Sequence, residues 1–209
     1  TISSEFNQNL KLNLSSITSN NNININYNNY GSQKYEGELK KTGNYKFSKF
    51  KKVKQINFKP IFFNKNIIYF DKKGSIIKYD ENQKIIWKKN YYTKQEKKLY
   101  PKLNILLDNE NILITDNIAK YYSINAITGK LNWSKRNKYP FNSDIKKYKN
   151  QFFALDYNNT LRCYEIKDGS ECWKFQTENS FTISNSKNSL IIIKDIIVFS
   201  NSIGDITAI

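Results

Sequence analysis

Two cysteines carry the most reactive side chains of this chain, and their spacing limits the chemistry open to them. Cys163 and Cys172 lie nine positions apart and flank the Asp168-Gly169 pair, whose residue types favour a tight turn. On adjacent antiparallel strands, the even number of residues between them would let both side chains reach one face of the sheet. An oxidising compartment could join such a pair as a disulfide, whereas two buried small hydrophobic side chains are the commoner outcome. The sequence favours the second alternative and leaves the first open.

Other chemistry is limited by the residue types that are missing. The chain contains no His, so a Ser/His or Cys/His nucleophile system is excluded within this segment, and zinc would lack its commonest nitrogen ligand. The seven Gly form neither G-x-G-x-x-G nor G-x-x-x-x-G-K. Asp71, Asp116 and Asp156 recur at strand ends and resemble turn residues more than acid–base partners. We therefore predict no catalytic, cofactor-binding or metal site here, and a protein that is not an enzyme.

The net charge of +16 raises nucleic acid and anionic surfaces as partners, because Lys and Arg neutralise phosphates. The lysines are scattered along every segment, however, in a chain also rich in Asn, Ile and Tyr, whose codons share adenine and thymine. We attribute the charge to genome-wide composition and expect no nucleic-acid partner. Binding to nucleic acid or to an anionic surface stays as an alternative. No run approaches the ~18 apolar residues that a membrane-spanning helix needs.

The elements that position these residues come from a repeat that begins near Phe58. The three tryptophans, Trp87, Trp133 and Trp173, lie 46 and 40 residues apart. Each follows an apolar run, a polar turn, a second β-favouring run and a second turn, and a fourth copy opens at Asp195. A period of this length is typical of propeller blades or of armadillo-type helical repeats. Matching turn positions keep a similar spacing: Gly74, Ala119, Asn159 and Gly204.

Periodicity within each unit separates these two architectures. Runs such as residues 67–70 and 196–199 are short, continuous and β-favouring, whereas amphipathic helices would repeat apolar residues every three or four positions. An outer strand before each run, over residues 102–107 and 143–148, completes four strands per unit. The sequence therefore predicts an all-β fold, a β-propeller of four-stranded antiparallel blades of which about three and a half are present. The blades are expected near residues 56–90, 100–136, 142–176 and 181–209.

Residues 1–55 are predicted to form an N-terminal tether and edge segment ahead of the propeller domain of residues 56–209. The stretch 20–29 is rich in Asn with only Ile and Tyr alternating through it, which is typical of a linker with little to bury. Residues 38–50 place apolar side chains between lysines, a pattern that fits one or two strands against the edge of a folded body.

The repeats resemble the tryptophan-docking motif of quinoprotein-like propellers, which runs Ala-x-Asp-x-x-Thr-Gly-x-x-x-Trp. The second copy ends in Thr128, Gly129 and Trp133, and the third retains Gly169 and Trp173 with Asp168 at the Thr position. The first copy departs more, because it is one residue shorter and Gln83 replaces the Gly. The Ala position holds, in chain order, Lys78, Ser123, Cys163 and Ala208.

The residue types of this motif have a structural explanation. Gly permits the positive φ of a tight turn, and the acid or its Asn substitute accepts turn N–H groups. Trp covers a neighbouring blade with a large apolar face while its N–H finds a carbonyl, and a small residue at the Ala position leaves room for the ring. The residues predicted to dock one blade on the next are Trp87, Trp133, Trp173, Gly129, Gly169, Thr128, Asp168, Ser123, Cys163 and Ala208.

Among quinoprotein-like propellers, residues 58–209 most resemble the BamB family of the outer-membrane β-barrel assembly machinery. The points of resemblance are a polar N-terminal tether leading into blades, short loops between blades, and no insertion of catalytic size. The resemblance implies a non-enzymatic scaffold at the periplasmic face of the outer membrane that binds the central assembly subunit. It also implies a possible lipid anchor upstream of Thr1. No partner-binding loop of the family can be matched residue by residue, so the partner-binding residues stay unassigned.

An enzymatic alternative shares the same fold and repeat. Quinone-dependent dehydrogenases resemble one another in a catalytic Asp, a calcium site of Glu and Asn type, and often an adjacent Cys-Cys disulfide. The two cysteines of this chain are not adjacent, and no acidic cluster stands on the loops between blades. The scaffold is therefore preferred, with the dehydrogenase fragment as its alternative.

Overall fold

A computed structural model of the chain describes residues 61–178 and 186–209, which fold into four antiparallel sheets. Sheets 1, 2 and 3 have four strands each, and the described part of sheet 4 has three, always in sequential order. A 3-10 helix at Glu96–Leu99 follows sheet 1. The strands are β1 (Ile61–Phe63), β2 (Asn66–Phe70), β3 (Ser75–Tyr79), β4 (Ile85–Asn90), β5 (Leu103–Asp108), β6 (Asn111–Asp116), β7 (Lys120–Asn125), β8 (Leu131–Arg136), β9 (Lys146–Tyr148), β10 (Gln151–Leu155), β11 (Thr160–Glu165), β12 (Glu171–Gln176), β13 (Leu190–Ile193), β14 (Ile196–Ser200) and β15 (Ile206–Ala208).

The second and third strands of sheets 2 and 3 are covered on both faces, which explains their continuous apolar runs. In β6, Ile112, Leu113 and Ile114 are each no more than 1% exposed although their side chains alternate between the two faces. The fourth strands β4, β8 and β12 are instead mostly exposed. Sheets 2 and 3 are therefore packed between neighbours through their middle strands and open to solvent along the strand that carries the tryptophan.

Three apolar clusters fill the spaces between consecutive sheets. The first joins residues of sheets 1 and 2, such as Ile68 and Ile114, and the second joins sheets 2 and 3 through Leu113 and Phe152. The third joins sheets 3 and 4, with Leu155 against Phe199. Because each unit buries its faces only against its neighbours, stability depends on stacking rather than on any one sheet.

The first strands of sheets 2, 3 and 4 converge near the axis around which these sheets are arranged. Lys187, just before β13 in sheet 4, reaches Asn104 of sheet 2 at 2.5 Å between Nζ and Oδ1 and Asp144 at 2.6 Å. Sheet 3 lies between sheets 2 and 4, so a direct contact between sheets 2 and 4 marks the place where the sheets converge. Ser143 and Asn188 add a parallel bridge at the same place.

This geometry corrects one prediction made for the strands. The strands expected over residues 102–107 and 143–148 were interpreted as outer strands, yet β5 and β9 stand on the axis side, and the outer edges are formed by β4, β8 and β12. The second of them is also shorter than expected, because β9 covers only Lys146–Tyr148. The interpretation as outer strands was therefore wrong.

The tether and edge segment predicted over residues 1–55, including the stretches 20–29 and 38–50, lies outside the described residues. The first described strand begins at Ile61, inside the first predicted blade. Across residues 61–178 and 186–209, the structure contains no helix with the length and apolar character needed to cross a membrane.

Candidate functional site

The junction between sheets 2 and 3 shows how a motif tryptophan meets the next sheet. Trp133, on β8, lies against the turn between β11 and β12, where Gly169 has φ +70°. A Cβ on that glycine would stand 2.5 Å from Cζ3 of the indole. The indole Nε1 donates a hydrogen bond of 3.0 Å to the Ile166 carbonyl, and the ring stacks on Phe152. Only glycine allows both the turn and this close approach.

The junction between sheets 1 and 2 repeats the contact with one change. A Cβ on Gly129 would come 2.9 Å from Cδ2 of Trp87, and the Tyr91 hydroxyl donates a hydrogen bond to the Gly129 carbonyl. The indole Nε1 of Trp87 is buried and has no hydrogen-bond partner among the described residues. The expectation that each tryptophan N–H finds a carbonyl is therefore wrong for Trp87.

Lys78 bonds to the carbonyl that corresponds to the acceptor of Trp133. Its Nζ donates to the Ala126 carbonyl at 3.0 Å, and Ala126 is the counterpart in sheet 2 of Ile166 in sheet 3. The amine also lies 5.0 Å from the centre of the Phe63 ring, and burial lowers its pKa. A long side chain at the Ala position thus takes the acceptor that the indole uses in the next junction.

Trp173 occupies the corresponding place on β12 but is 38% exposed and packs against Phe153 of its own sheet. Ala208 is exposed at the end of β15, where it pairs with Val198. The turn of the fourth repeat that would correspond to Gly169 lies beyond Ile209 in the repeat alignment. The structure therefore brings together Trp87 with Gly129 and Trp133 with Gly169, and it does not bring Trp173 and Ala208 into such a contact.

Residues at the Ala position face the tryptophan of their own sheet across the β-ladder. Lys78 pairs with Trp87, Ser123 with Trp133 and Cys163 with Trp173, and the register shifts directly afterwards in all three sheets. Such a β-bulge places two residues of one strand opposite one residue of the other. The extra residues are Ile86, Asn132 and Cys172.

The turns before the tryptophan strands use acids and amides as acceptors for backbone N–H groups. Asn125 Oδ1 accepts from the N–H of Ile127 and from both the N–H and the hydroxyl of Thr128. In sheet 3 the acceptor is Asp168, which receives the N–H and the hydroxyl of Ser170, and these bonds lower the pKa of its carboxyl. Thr128 and Asp168 therefore both help to form their turns, Thr128 as a hydrogen-bond donor in sheet 2 and Asp168 as an acceptor in sheet 3.

A second contact between neighbouring sheets was missed by the sequence reasoning. Asp116 Oδ1 accepts the N–H groups of Ile118 and Lys120 in its turn, and Oδ2 accepts the hydroxyl of Tyr92, which follows β4 of the preceding sheet, at 2.6 Å. The turn function of Asp116 was expected from the sequence, whereas the bond to the preceding sheet was not.

The same arrangement recurs at the next two junctions. Asp156 caps its own turn through Oδ1, and its Oδ2 accepts from Asn137, the residue after β8, at 3.1 Å. Asn201 caps its turn in sheet 4 and donates to Thr177, the residue after β12, at 3.3 Å. The sequence does carry a signal for these contacts. A polar residue stands one or two positions after each tryptophan strand, and the next repeat along the chain has an Asp or Asn in its first turn.

Burial shapes the electrostatics of the first of these contacts. Asp116 is fully buried, and the loss of hydration raises the pKa of its carboxyl although the hydrogen bonds from Tyr92 and the turn oppose the shift. Burial also lowers the pKa of Lys120, whose amine bonds to the Tyr91 carbonyl and lies 3.9 Å from Glu96. Arg136 forms a further ion pair with Glu96. The charges at this junction are thus paired between sheets 1 and 2.

The two cysteines differ in their surroundings, contrary to the expectation of two buried side chains. Cys163 is buried, but Cys172 is exposed because it lies on the outer edge strand β12, whose residues are all exposed. Burial raises the pKa of both thiols. The prediction of a buried small hydrophobic residue was therefore right for Cys163 and wrong for Cys172. Within the described ranges, no three His, Cys, Asp or Glu side chains cluster so that they could hold a metal ion.

Repeated four-stranded sheets, stacked about an axis and joined by tryptophan-on-glycine contacts, define a β-propeller of the quinoprotein-like class. A family model described as outer membrane protein assembly factor BamB matches residues 72–209. This match covers well over half of the chain, which therefore belongs to the BamB family. The predicted fold class and family are both confirmed.

Solved structures support the same fold. BamB from Moraxella catarrhalis superposes with a TM-score of 0.60 at 14% identity, over 73% of this chain and 44% of that protein. The computationally designed Ika8 protein reaches 0.57 at 11% identity, over 71% of this chain and 44% of the other. The WD40 domain of Neurospora crassa Pan2 reaches 0.51 at 15% identity, over 69% and 42%. This chain thus spans less than half of the length of each, and no curated protein sequence matches it.

Proposed function

We propose that this chain is part of a non-enzymatic scaffold that assists the assembly of β-barrel outer-membrane proteins through protein–protein contacts. The observation that carries the proposal is the BamB family match over residues 72–209, together with the propeller fold. The partner proposed is the central subunit of the outer-membrane barrel-assembly machinery, and the location is the periplasmic face of the outer membrane. Peripheral attachment by a lipid anchor upstream of Thr1 belongs to the same proposal and rests on the family alone.

The outer edges of the sheets offer surfaces suited to protein partners. Strands β4, β8 and β12 each end a sheet, so one side of each backbone has no neighbouring strand within the described residues. These strands expose apolar side chains beside their lysines, including Ile85, Leu131 and Phe175. Strand edges combined with apolar and aromatic side chains are features through which proteins bind one another. The structure assigns no specific partner-binding loop.

The repeat residues have a different role in this proposal. Trp87 and Trp133, with Gly129 and Gly169, hold one sheet on the next, and Trp173 would do the same for the turn of a completed fourth blade. This role is supported by the close tryptophan–glycine contacts and by the Trp133–Ile166 hydrogen bond. The docking residues serve the scaffold by keeping its outer edges in a fixed arrangement.

Capture from membranes tests the proposal. The full-length protein would be used to recover partners from detergent-solubilised outer membranes at about 50 mM and about 200 mM salt. We expect recovery of the central barrel-assembly subunit at both concentrations, because contacts with a large apolar share are weakly screened. Parallel samples would receive quinone and calcium, with alcohol and sugar oxidation as the readout.

A charge-reversed variant provides the matched control. Lys94 and Lys194 are exposed and lie outside β4, β8 and β12, so K94E/K194E changes the surface charge without touching the docking contacts or the outer edges. Capture by this variant should equal that of the wild type. Recovery of nucleic acid alone, lost at the higher salt and with the variant, would favour the basic-surface alternative. Quinone-dependent oxidation would instead establish the dehydrogenase.

A further inference from the structure

The β-bulge between β11 and β12 brings two thiols together. Cys163 on β11 pairs with Trp173 on β12, and Tyr164 pairs with Glu171, so Cys172 is the extra residue opposite Cys163. The β-bulges at the same position in sheets 1 and 2 carry other residue pairs, Lys78 with Ile86 and Ser123 with Asn132. Sheet 3 is thus the one described sheet in which both members of this pair are cysteines.

The equivalent pair of sheet 2 shows that side chains at these two positions meet. Asn132 Nδ2 donates a hydrogen bond of 3.1 Å to the hydroxyl oxygen of Ser123. The Cys172 thiol donates a hydrogen bond of 3.2 Å to Oε1 of Glu165, which stands two residues after Cys163 on the same face of β11. Adjacent positions on neighbouring antiparallel strands provide the backbone separations that disulfides require.

The two thiols differ in how a reagent can reach them. Cys163 is fully buried, whereas Cys172 is exposed on β12, the outermost strand of sheet 3. A reagent from solvent therefore meets Cys172 first, and Cys163 can react only with a group already attached to Cys172.

We propose that Cys163 and Cys172 form a disulfide that joins β11 to β12 and fixes the strand carrying Trp173. It would be a covalent counterpart of the Ser123–Asn132 hydrogen bond in sheet 2. Because Trp173 directly follows Cys172, the bond would restrain the side chain proposed to dock the next blade.

The chemistry is a thiol–disulfide exchange, with a protein or small-molecule disulfide as the oxidant. The Cys172 thiolate attacks one sulfur of the oxidant, whose other sulfur leaves as a thiolate, and a mixed disulfide forms. The Cys163 thiolate then attacks the Cys172 sulfur and expels the second thiolate. Two protein thiols are oxidised, the oxidant disulfide is reduced to two thiols, and the two thiol protons end on these leaving groups.

Both thiols have raised pKa values, which sets the expected pace of the reaction. Burial is the main cause for each, and Glu165 adds to the effect because its negative charge opposes a thiolate. Reactive redox-sensing cysteines have lowered pKa values instead. The disulfide therefore acts as a slowly formed structural bond and not as a rapid sensor. Its physiological formation rests on the proposed periplasmic location, but its ability to form can be tested on the purified protein.

The test uses the folded chain, with oxidised glutathione as the probe. After incubation and denaturation without reductant, the wild type should show no maleimide-reactive thiol and a mass lower by two hydrogen atoms. Reduction should restore two thiols. The variant C163S should stop at a glutathione adduct on Cys172, and C172S should not react while folded.

A second variant separates the bond from the fold. C163S/C172N copies the pair found in sheet 2 and should fold without any thiol. The thermal midpoint of the oxidised wild type should fall by roughly 5 °C on reduction, whereas that of the double variant should not move.

Three results would overturn the inference. These are a stable glutathione adduct on wild-type Cys172, two thiols that stay free under excess oxidant, or a bond that forms only between chains. Because the assay uses purified protein, its failure leaves the scaffold proposal untouched, and failure of membrane capture would leave the disulfide result standing.

Discussion

Replacing Gly169 by Ala tests whether the tryptophan–glycine contact holds sheet 3 on sheet 2. The backbone has φ +70° there, and a left-handed conformation costs an L-residue about 1–2 kcal/mol. The new methyl group would also stand 2.5 Å from Cζ3 and 2.8 Å from Cε3 of Trp133. The ring must therefore move by about 1 Å, and overpacking of this kind costs about 1–3 kcal/mol.

Movement of the ring has a further consequence. Trp133 Nε1 would be drawn away from the Ile166 carbonyl, and losing that hydrogen bond costs about 0.5–1.5 kcal/mol. The free energy of unfolding should consequently fall by about 3–6 kcal/mol in G169A. Urea unfolding followed by far-ultraviolet circular dichroism would measure it, because this signal does not depend on the tryptophans.

Gly204 supplies the matched control. It also has a positive φ, +105°, but no atom lies within 4 Å of the place where a Cβ would stand. G204A should therefore cost only the backbone strain, about 1–3 kcal/mol at this larger φ. A loss in G169A no larger than in G204A would refute the docking contact. In a double-mutant cycle, W133A should remove part of the G169A penalty and give a coupling of about 1–3 kcal/mol.

Three further predictions concern the second contact and the altered junction. The free energy of unfolding of Asp116→Asn in urea should be close to that of the wild type, because the amide keeps an acceptor for the turn, as Asn201 does in sheet 4. That of Asp116→Ala should be lower by about 1–3 kcal/mol. Equal losses in the two variants would contradict this. Burial raises the pKa of the Asp116 carboxyl, so the folded protein keeps the carboxyl proton to higher pH than the unfolded chain. The stability of the wild type relative to D116N should therefore fall as the pH rises from about 4 through the pKa of the folded state. A pH-independent difference between the two in urea titrations would contradict the raised pKa. Lys78→Ala should release the Ala126 carbonyl to the indole N–H of Trp87. NMR would then show slower hydrogen exchange of the Trp87 indole N–H. Unchanged exchange would show that Lys78 does not compete for this acceptor.

Much of the fold could be predicted because its signals are local. Apolar β-favouring runs, turn residues and the tryptophan spacing each depend on a few neighbouring positions, and they gave four-stranded units at the right period. The turn positions Gly74, Ala119, Asn159 and Gly204 all have positive φ in the structure. Gln83 does too, although the motif has Gly there, which shows that the turn geometry survives the substitution.

The arrangement of sheets could be predicted less well. The sequence pattern identified an edge strand before each apolar run but gave no signal for which edge faces the axis. That choice is visible only in contacts such as Lys187 with Asn104, which join residues 83 positions apart. Likewise, the period-two alternation suggested one environment for both cysteines, whereas the exposure of Cys172 follows from the place of β12 at the outer edge of its sheet.

The amino-acid sequence by itself determined the repeat, the strands, the tight turns and the family, because backbone sterics and side-chain alternation act over a few residues. Tertiary structure alone decided which groups complete one another across the junctions. Trp133 finds the Ile166 carbonyl while Lys78 takes the equivalent one from Trp87, and Asp116 reaches Tyr92 in the preceding sheet. These pairings arise only when the sheets stack, since each partner lies in a different repeat and neither one specifies the other along the chain.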